Sequence, residues 1–156
     1  MTRINLVHPS WLTDQHLLAE YRELPRIVNS WKNKKDDNKF YDGIPKTYVF
    51  GKGHVKFFRN KIKFLNDRFL DIVNECLKRN FSLMFIDPLL TPIELKILEQ
   101  DCKQQFYEPS TKDCNESLKK LIDKVNSKSG FYRFHKDLVN NYSDILSKLY
   151  YTNNSL

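Results

Sequence analysis

The chain is poor in the residues that build metal sites, disulfide frameworks and phosphate loops. Its 156 residues include three cysteines, four glycines and a single alanine, Ala19. Cys76, Cys102 and Cys114 are odd in number and show no C-x-x-C or His-flanked spacing. Neither a disulfide framework nor a zinc site is therefore expected, and each cysteine reads as a small apolar side chain in or near a helix, in a reducing interior. Gly51-Lys52-Gly53-His54 lacks the spacing of a phosphate-cradling loop, so no nucleotide or metal cofactor is expected. No apolar run approaches the ~18–20 residues of a membrane span. The opening residues lack the basic, apolar and small-residue succession of a secretory signal. No internal repeat is visible.

What is present is a core's worth of apolar side chains and an excess of positive charge. Hydrophobic residues make up 40% of the chain and charged residues 29%, which suits a packed core and excludes whole-chain disorder. The length suits one domain. Lys and Arg number 26 against 19 Asp and Glu, a net charge of +7. Such an excess points to nucleic acid, an anionic membrane surface or an acidic partner. The basic residues are not gathered on one amphipathic helix, which makes the membrane surface the weakest of the three.

Periodicity predicts helices. From Asp14 to about Lys32, Leu17, Tyr21, Leu24, Val28 and Trp31 recur at spacings of three or four, with Thr13 or Asp14 as N-cap. Pro25 falls inside this pattern and should kink the helix or break it at Leu24, because it has no N–H for the Tyr21 carbonyl. Residues 32–46 read as an exposed basic loop, and 48–58 as a short irregular connection. A second helix is expected from about Phe57 to Arg79, burying Ile62, Phe64, Leu65, Phe69, Ile72, Val73 and Leu77. Residues 82–90 read as a packed connection. Thr91, Pro92 and Glu94 spell a capping box that opens a third helix. Helical spacing returns at about 116–127 and 136–150, around an aromatic and basic patch at 129–136. No strand is expected. The fold class is all-α: a compact single domain of about three main helices with an added C-terminal helix.

On a wheel of 100° per residue, the face of the first helix opposite its apolar stripe carries Gln15, His16, Ala19, Arg22, Glu23 and Arg26. The bland reading is a solvated face with surface ion pairs worth little. The sharper one is a carboxylate with three cationic neighbours, beside a small residue that leaves room between them.

Met-Thr-Arg-Ile-Asn-Leu, Asp14-Gln15-His16-Leu17 and Ala19-Glu20-Tyr21-Arg22-Glu23-Leu24-Pro25-Arg26 closely resemble the pyrimidine-dimer DNA glycosylases of the phage endonuclease V family. The resemblance continues through Gly51-x-Gly53-His54-Val55-x-Phe57-Phe58 and Glu75-Cys76-Leu77-Lys78-Arg79. It is weaker at Tyr107-x-Pro109 and Phe131-Tyr132-Arg133-Phe134, and it ends near residue 136. That division gives a glycosylase-like helical domain at 1–136, with 137–156 as a helical extension packed on it. The loop at 32–46 diverges from the family pattern. So does the patch at 131–135, which in the family is richer in Trp and Tyr.

The resemblance implies an enzyme that excises ultraviolet-induced cyclobutane dimers and then nicks the abasic site by β-elimination. It implies removal of the initiator Met and nucleophilic attack by the α-amine of Thr2. An α-amine, with an ordinary pKa of about 7.7–8.0, is substantially neutral at physiological pH, unlike lysine. The resemblance makes Glu23 the carboxylate that stabilises the cationic sugar and relays protons. Arg3, Arg22 and Arg26 would hold phosphates flanking the lesion and depress the pKa of the amine by like-charge repulsion. Gln15 and His16 would orient phosphate or sugar, the other reading of His16 being a packing histidine. Among the basic residues elsewhere, Lys78, Arg79, Lys119, Lys120 and Arg133 could track the DNA backbone, while each taken singly reads as a solvated surface charge. The implied partner is double-stranded DNA bearing UV lesions or abasic sites, bound by a monomer and kinked with a base turned out. The expected setting is intracellular: the cytoplasm of a bacterial host, or the nucleus, virus factory or virion if the protein is viral. Two alternatives remain: a glycosylase or lyase for other damaged bases, and a non-catalytic helical DNA-binding protein.

Overall fold

A computed structural model describes residues 4–154, and the folded chain is predominantly helical. The described residues form α1 (Asp14–Lys34), α2 (His54–Phe57), α3 (Ile62–Lys78), α4 (Pro92–Gln100), α5 (Thr111–Asn126) and α6 (Tyr142–Asn154). A two-stranded hairpin, β1 (Tyr132–Phe134) and β2 (Asp137–Val139), lies between the last two helices. The backbone clusters into two units. One comprises Ile4 and residues 19–108; the other comprises residues 5–18 and 109–154. Among the described residues no helix is long and apolar enough to cross a membrane.

The first helix is capped by Thr13, whose hydroxyl accepts the His16 N–H at 3.2 Å. Asp14 in its first turn and Lys32 and Lys34 in its last complement the helix dipole. α1 runs through Pro25 unbroken, contrary to the break allowed for at Leu24. A proline inside a helix costs roughly 3 kcal/mol. Leu17, Tyr21, Leu24, Val28 and Trp31 are all buried, at roughly 1.5–3 kcal/mol each, which is enough to hold both halves in line.

In the unit built on residues 19–108, α3 buries Ile62, Leu65, Phe69, Ile72, Val73 and Cys76. Three expectations need correction here. Helix does not run continuously from Phe57. Lys61 adopts non-helical angles between α2 and α3, and the Ile62 N–H is capped by Gln104 Oε1 at 3.1 Å, a long-range partner with no local signature. Leu77 is 46% exposed, because the last turn of α3 directs Cys76 inward and gives its other buried places to the Glu75–Arg79 pair. The connection at 82–90 is largely exposed, with Met84 at 96%; it is held through Phe85, whose backbone bonds the Tyr21 hydroxyl and whose ring packs on Tyr21 and Phe69, and through the buried Leu90. α3 ends on Asn80 in the left-handed region, with the Phe81 N–H returning to the Cys76 carbonyl at 2.9 Å. The expected capping box of α4 is present in full.

Inside the same unit the chain start is held at both polar groups of Ile4. The Ile4 N–H donates to His54 Nε2 at 2.9 Å, and the Tyr48 hydroxyl donates to the Ile4 carbonyl at 2.9 Å. Gly53, with φ of 96°, turns the chain into α2 so that His54 points inward.

The other unit contains the hairpin, which was not anticipated. Tyr132 and Phe134 are buried and Arg133 between them is exposed, an alternation too short to stand out from a helical pattern. Consequently α6 begins at Tyr142 rather than near 136. α5 starts earlier than expected, capped by Ser110, whose hydroxyl accepts the Asp113 N–H. In α5, Ser117 is buried and accepts the Leu6 N–H at 2.9 Å. The Tyr142 hydroxyl donates to the Trp11 carbonyl at 3.1 Å, and burial pushes its pKa up.

Candidate functional site

The carboxylate of Glu23 sits on α1 with its side chain only 15% exposed, 3.5 Å from the guanidinium of Arg26, which is 75% exposed. The three-residue spacing puts both on one helix face. They line a cleft of about 120 Å³ with Ile27, Ser30, Phe40, Val55 and Arg59. Arg59 is fixed there: Nη1 donates to the Phe40 carbonyl at 3.0 Å, and the guanidinium lies 4.7 Å from the centre of the Phe40 ring. Its charge is thus held on the cleft wall, while that of Arg26 is paired with Glu23 and mostly exposed to solvent. Arg22 is exposed on the same helix.

A broader depression of about 560 Å³ shares Val55 and Arg59 and adds Lys52, Lys56, Gly43, Gly51 and Gly53. Sequence reasoning missed Arg59, Phe40 and the Lys52–Lys56 pair as cleft residues. Arg59 lies five residues beyond His54 of the Gly-x-Gly-His block, but only the fold around Phe40 brings it to the wall that Glu23 shares.

In the other unit, the Gln15 side chain is committed at both ends to the hairpin region. Its Nε2 donates to the Phe131 carbonyl and its Oε1 accepts the Arg133 N–H, each at 2.9 Å. His16 is half-buried; its Nδ1 pairs with the Thr13 hydroxyl at 2.6 Å, and its ring stacks on Tyr132 at 4.8 Å. Both residues therefore have packing roles. The Arg133 side chain is exposed and donates to the Lys136 carbonyl at 3.3 Å, and Lys120 is exposed on α5. Arg79, grouped above with the backbone-tracking cations, is buried against Glu75 at 2.7 Å and serves the interior. Thr2 and Arg3 lie outside the described residues. Among the described residues no cluster of three or more His, Cys, Asp or Glu side chains has the makings of a metal site.

A helical scaffold with a net charge of +7 carries a sheltered carboxylate in one cleft with two arginines, an arrangement suited to a polyanionic ligand. The sequence model of the family described as pyrimidine dimer DNA glycosylase matches residues 1–86, and the chain belongs to that family. It is a DNA repair glycosylase whose substrate is DNA carrying UV lesions. The matched residues include every residue of the Glu23 cleft.

Proposed function

We propose that the protein, acting as a monomer, excises cyclobutane pyrimidine dimers and cleaves the resulting abasic site through an imine on the α-amine of Thr2. The observation that carries this reading is the half-buried Glu23 carboxylate in a cleft with Arg26 and Arg59, inside the family-matched residues.

The neutral amine attacks C1′ of the damaged nucleotide; the N-glycosidic bond breaks and its electron pair leaves with the base. Loss of the amine proton and opening of the sugar ring give a protonated imine at C1′, with O4′ leaving as a hydroxyl. The imine acidifies the C2′ hydrogen. Removal of that proton sends the electron pair to form the C2′–C3′ double bond and expels the 3′ phosphate. Water then hydrolyses the imine and frees the amine.

Glu23 suits both steps. A sheltered anion stabilises the cationic sugar more strongly than one in bulk water, and a carboxylate at the cleft mouth relays the C2′ proton. Arg22 and Arg26, both exposed, would bind phosphates flanking the lesion, with Lys120 and Arg133 as further backbone contacts. Because the elimination step needs only an aldehydic sugar, abasic duplex is a substrate on this reading as well.

Borohydride trapping on a duplex with one defined thymine dimer tests the proposal, using protein whose N-terminus mass spectrometry shows to be Thr2. A covalent adduct on the N-terminal peptide is the expected result. An adduct with abasic DNA alone would keep the lyase chemistry and move the lesion. Binding without any adduct would leave a non-catalytic DNA-binding protein.

A further inference from the structure

The N-terminal segment is gripped at one residue by two side chains from elsewhere in the chain. Ile4 is buried and both of its backbone polar groups are taken: its N–H by His54 Nε2 and its carbonyl by the Tyr48 hydroxyl, each at 2.9 Å. These side chains lie 50 and 44 residues away in sequence.

The grip dictates the state of His54. A backbone N–H can only donate, so Nε2 must carry a lone pair, and the ring proton therefore sits on Nδ1. Nδ1 donates it to the Val49 carbonyl at 2.7 Å. His54 is thus a neutral imidazole of fixed tautomer, wedged among the rings of Tyr48, Phe50 and Phe58 with centroids 5.5–6.4 Å away. Tyr48 is itself buried against Phe57 and Phe58. Chain starts usually fray unless something ties them down. Here the tie is a rigid aromatic box that takes a donor and an acceptor from one residue.

We propose that His54 and Tyr48 are positioning residues for the N-terminal nucleophile; this rests on the reading that the Thr2 amine attacks C1′. Two residues of chain span at most about 7 Å, so a fixed Ile4 restricts the volume in which the amine moves. An amine on a frayed start would reach C1′ rarely. An amine tethered within that reach of a fixed residue has a smaller volume to sample, and misplacement by about 1 Å can cost up to roughly a hundredfold in rate. Neither side chain touches the substrate on this account. Their effect falls on the chemical step and spares DNA binding.

The test uses full-length protein with a verified Thr2 terminus and a duplex carrying one thymine dimer. Three variants are compared with wild type: Tyr48→Phe, which removes only a hydroxyl; His54→Leu, which removes the acceptor; and His54→Gln, which restores one. Single-turnover cleavage, rate of borohydride trapping and Kd for the damaged duplex are measured, with circular dichroism to confirm folding. Tyr48→Phe and His54→Leu should slow cleavage and trapping by roughly tenfold or more, with Kd within about threefold of wild type. His54→Gln should recover most of the lost rate. If His54→Leu does not fold, Tyr48→Phe carries the test alone. Wild-type rates in a folded Tyr48→Phe would overturn the proposal, and so would rate and Kd falling together. A wild-type adduct that maps away from Thr2, or no adduct at all, would overturn the amine reading and the positioning role with it. That failure shows in the wild-type lane, separately from any failure of the variants.

Discussion

The carboxylate of Asp14 accepts the backbone N–H of Lys136 at 2.7 Å, across 122 residues of sequence, and also that of His135 at 3.2 Å. These two residues form the hairpin loop between Phe134 and Asp137, and both have positive φ, 48° and 70°. Two-residue hairpin loops with φ above zero at both positions favour Asn-Gly, since other L-residues pay roughly 1–2 kcal/mol for the left-handed region. Here an anion on the first turn of α1 supplies what the loop residues lack. Asp14→Ala should lower stability by about 1–3 kcal/mol in urea titration, because two loop N–H groups lose their acceptor. The double change His135→Asn with Lys136→Gly should raise it by about 0.5–1 kcal/mol. A neutral Asp14→Ala would mean that the loop geometry needs no support.

Glu20 is fully buried on α1 and meets Arg68 through two hydrogen bonds, Nε at 2.7 Å and Nη2 at 3.1 Å. Removing one partner strands a buried charge, so Glu20→Ala should cost about 3–5 kcal/mol. Replacing both, Glu20→Leu with Arg68→Met, should fall within about 2 kcal/mol of wild type, because the desolvation penalty disappears along with the attraction. Urea midpoints of the three proteins decide this. A single substitution costing under about 1 kcal/mol would show that water reaches the pair.

Lys61 is buried at the start of α3, its Nζ donating to the Phe57 carbonyl at 2.9 Å and Asn60 Oδ1 at 2.8 Å. Burial lowers its pKa to about 8 from 10.5. Between those two values the unfolded chain holds a proton that the folded chain has shed. Stability therefore rises with pH across that window, and the penalty is fully present below pH 8. The stability of wild type relative to Lys61→Met should climb by on the order of 1–2 kcal/mol from pH 8 to 10.5. A flat difference across the window would mean that the ammonium stays hydrated in the fold.

For the cleft, Glu23→Gln keeps the shape and removes the charge. Cleavage of dimer DNA should fall by roughly a hundredfold or more while Kd changes by less than about threefold. Equal losses in both would make Glu23 a docking residue instead. Arg26→Ala should weaken binding and flatten the salt dependence by about one unit of slope. Unchanged salt dependence would take Arg26 off the phosphate contacts.

Much of this protein is determined by rules that act over four residues or fewer. The apolar stripe of α1, the Thr91–Glu94 box and the 3.6-residue pattern of α3 are each readable along the chain, because periodicity and capping satisfy groups within one turn. So is the Glu23–Arg26 pair, three residues apart on one face. Tertiary structure alone decided the rest. Gln104 ends the gap before α3, Asp14 permits the His135–Lys136 turn, Arg59 is brought to the cleft wall by Phe40, and His54 with Tyr48 holds Ile4. Each of these depends on a backbone donor or acceptor meeting a side chain 19 to 122 residues away. Such a partner leaves no trace in local spacing, because the chain between the two ends is free to vary without altering the bond it closes.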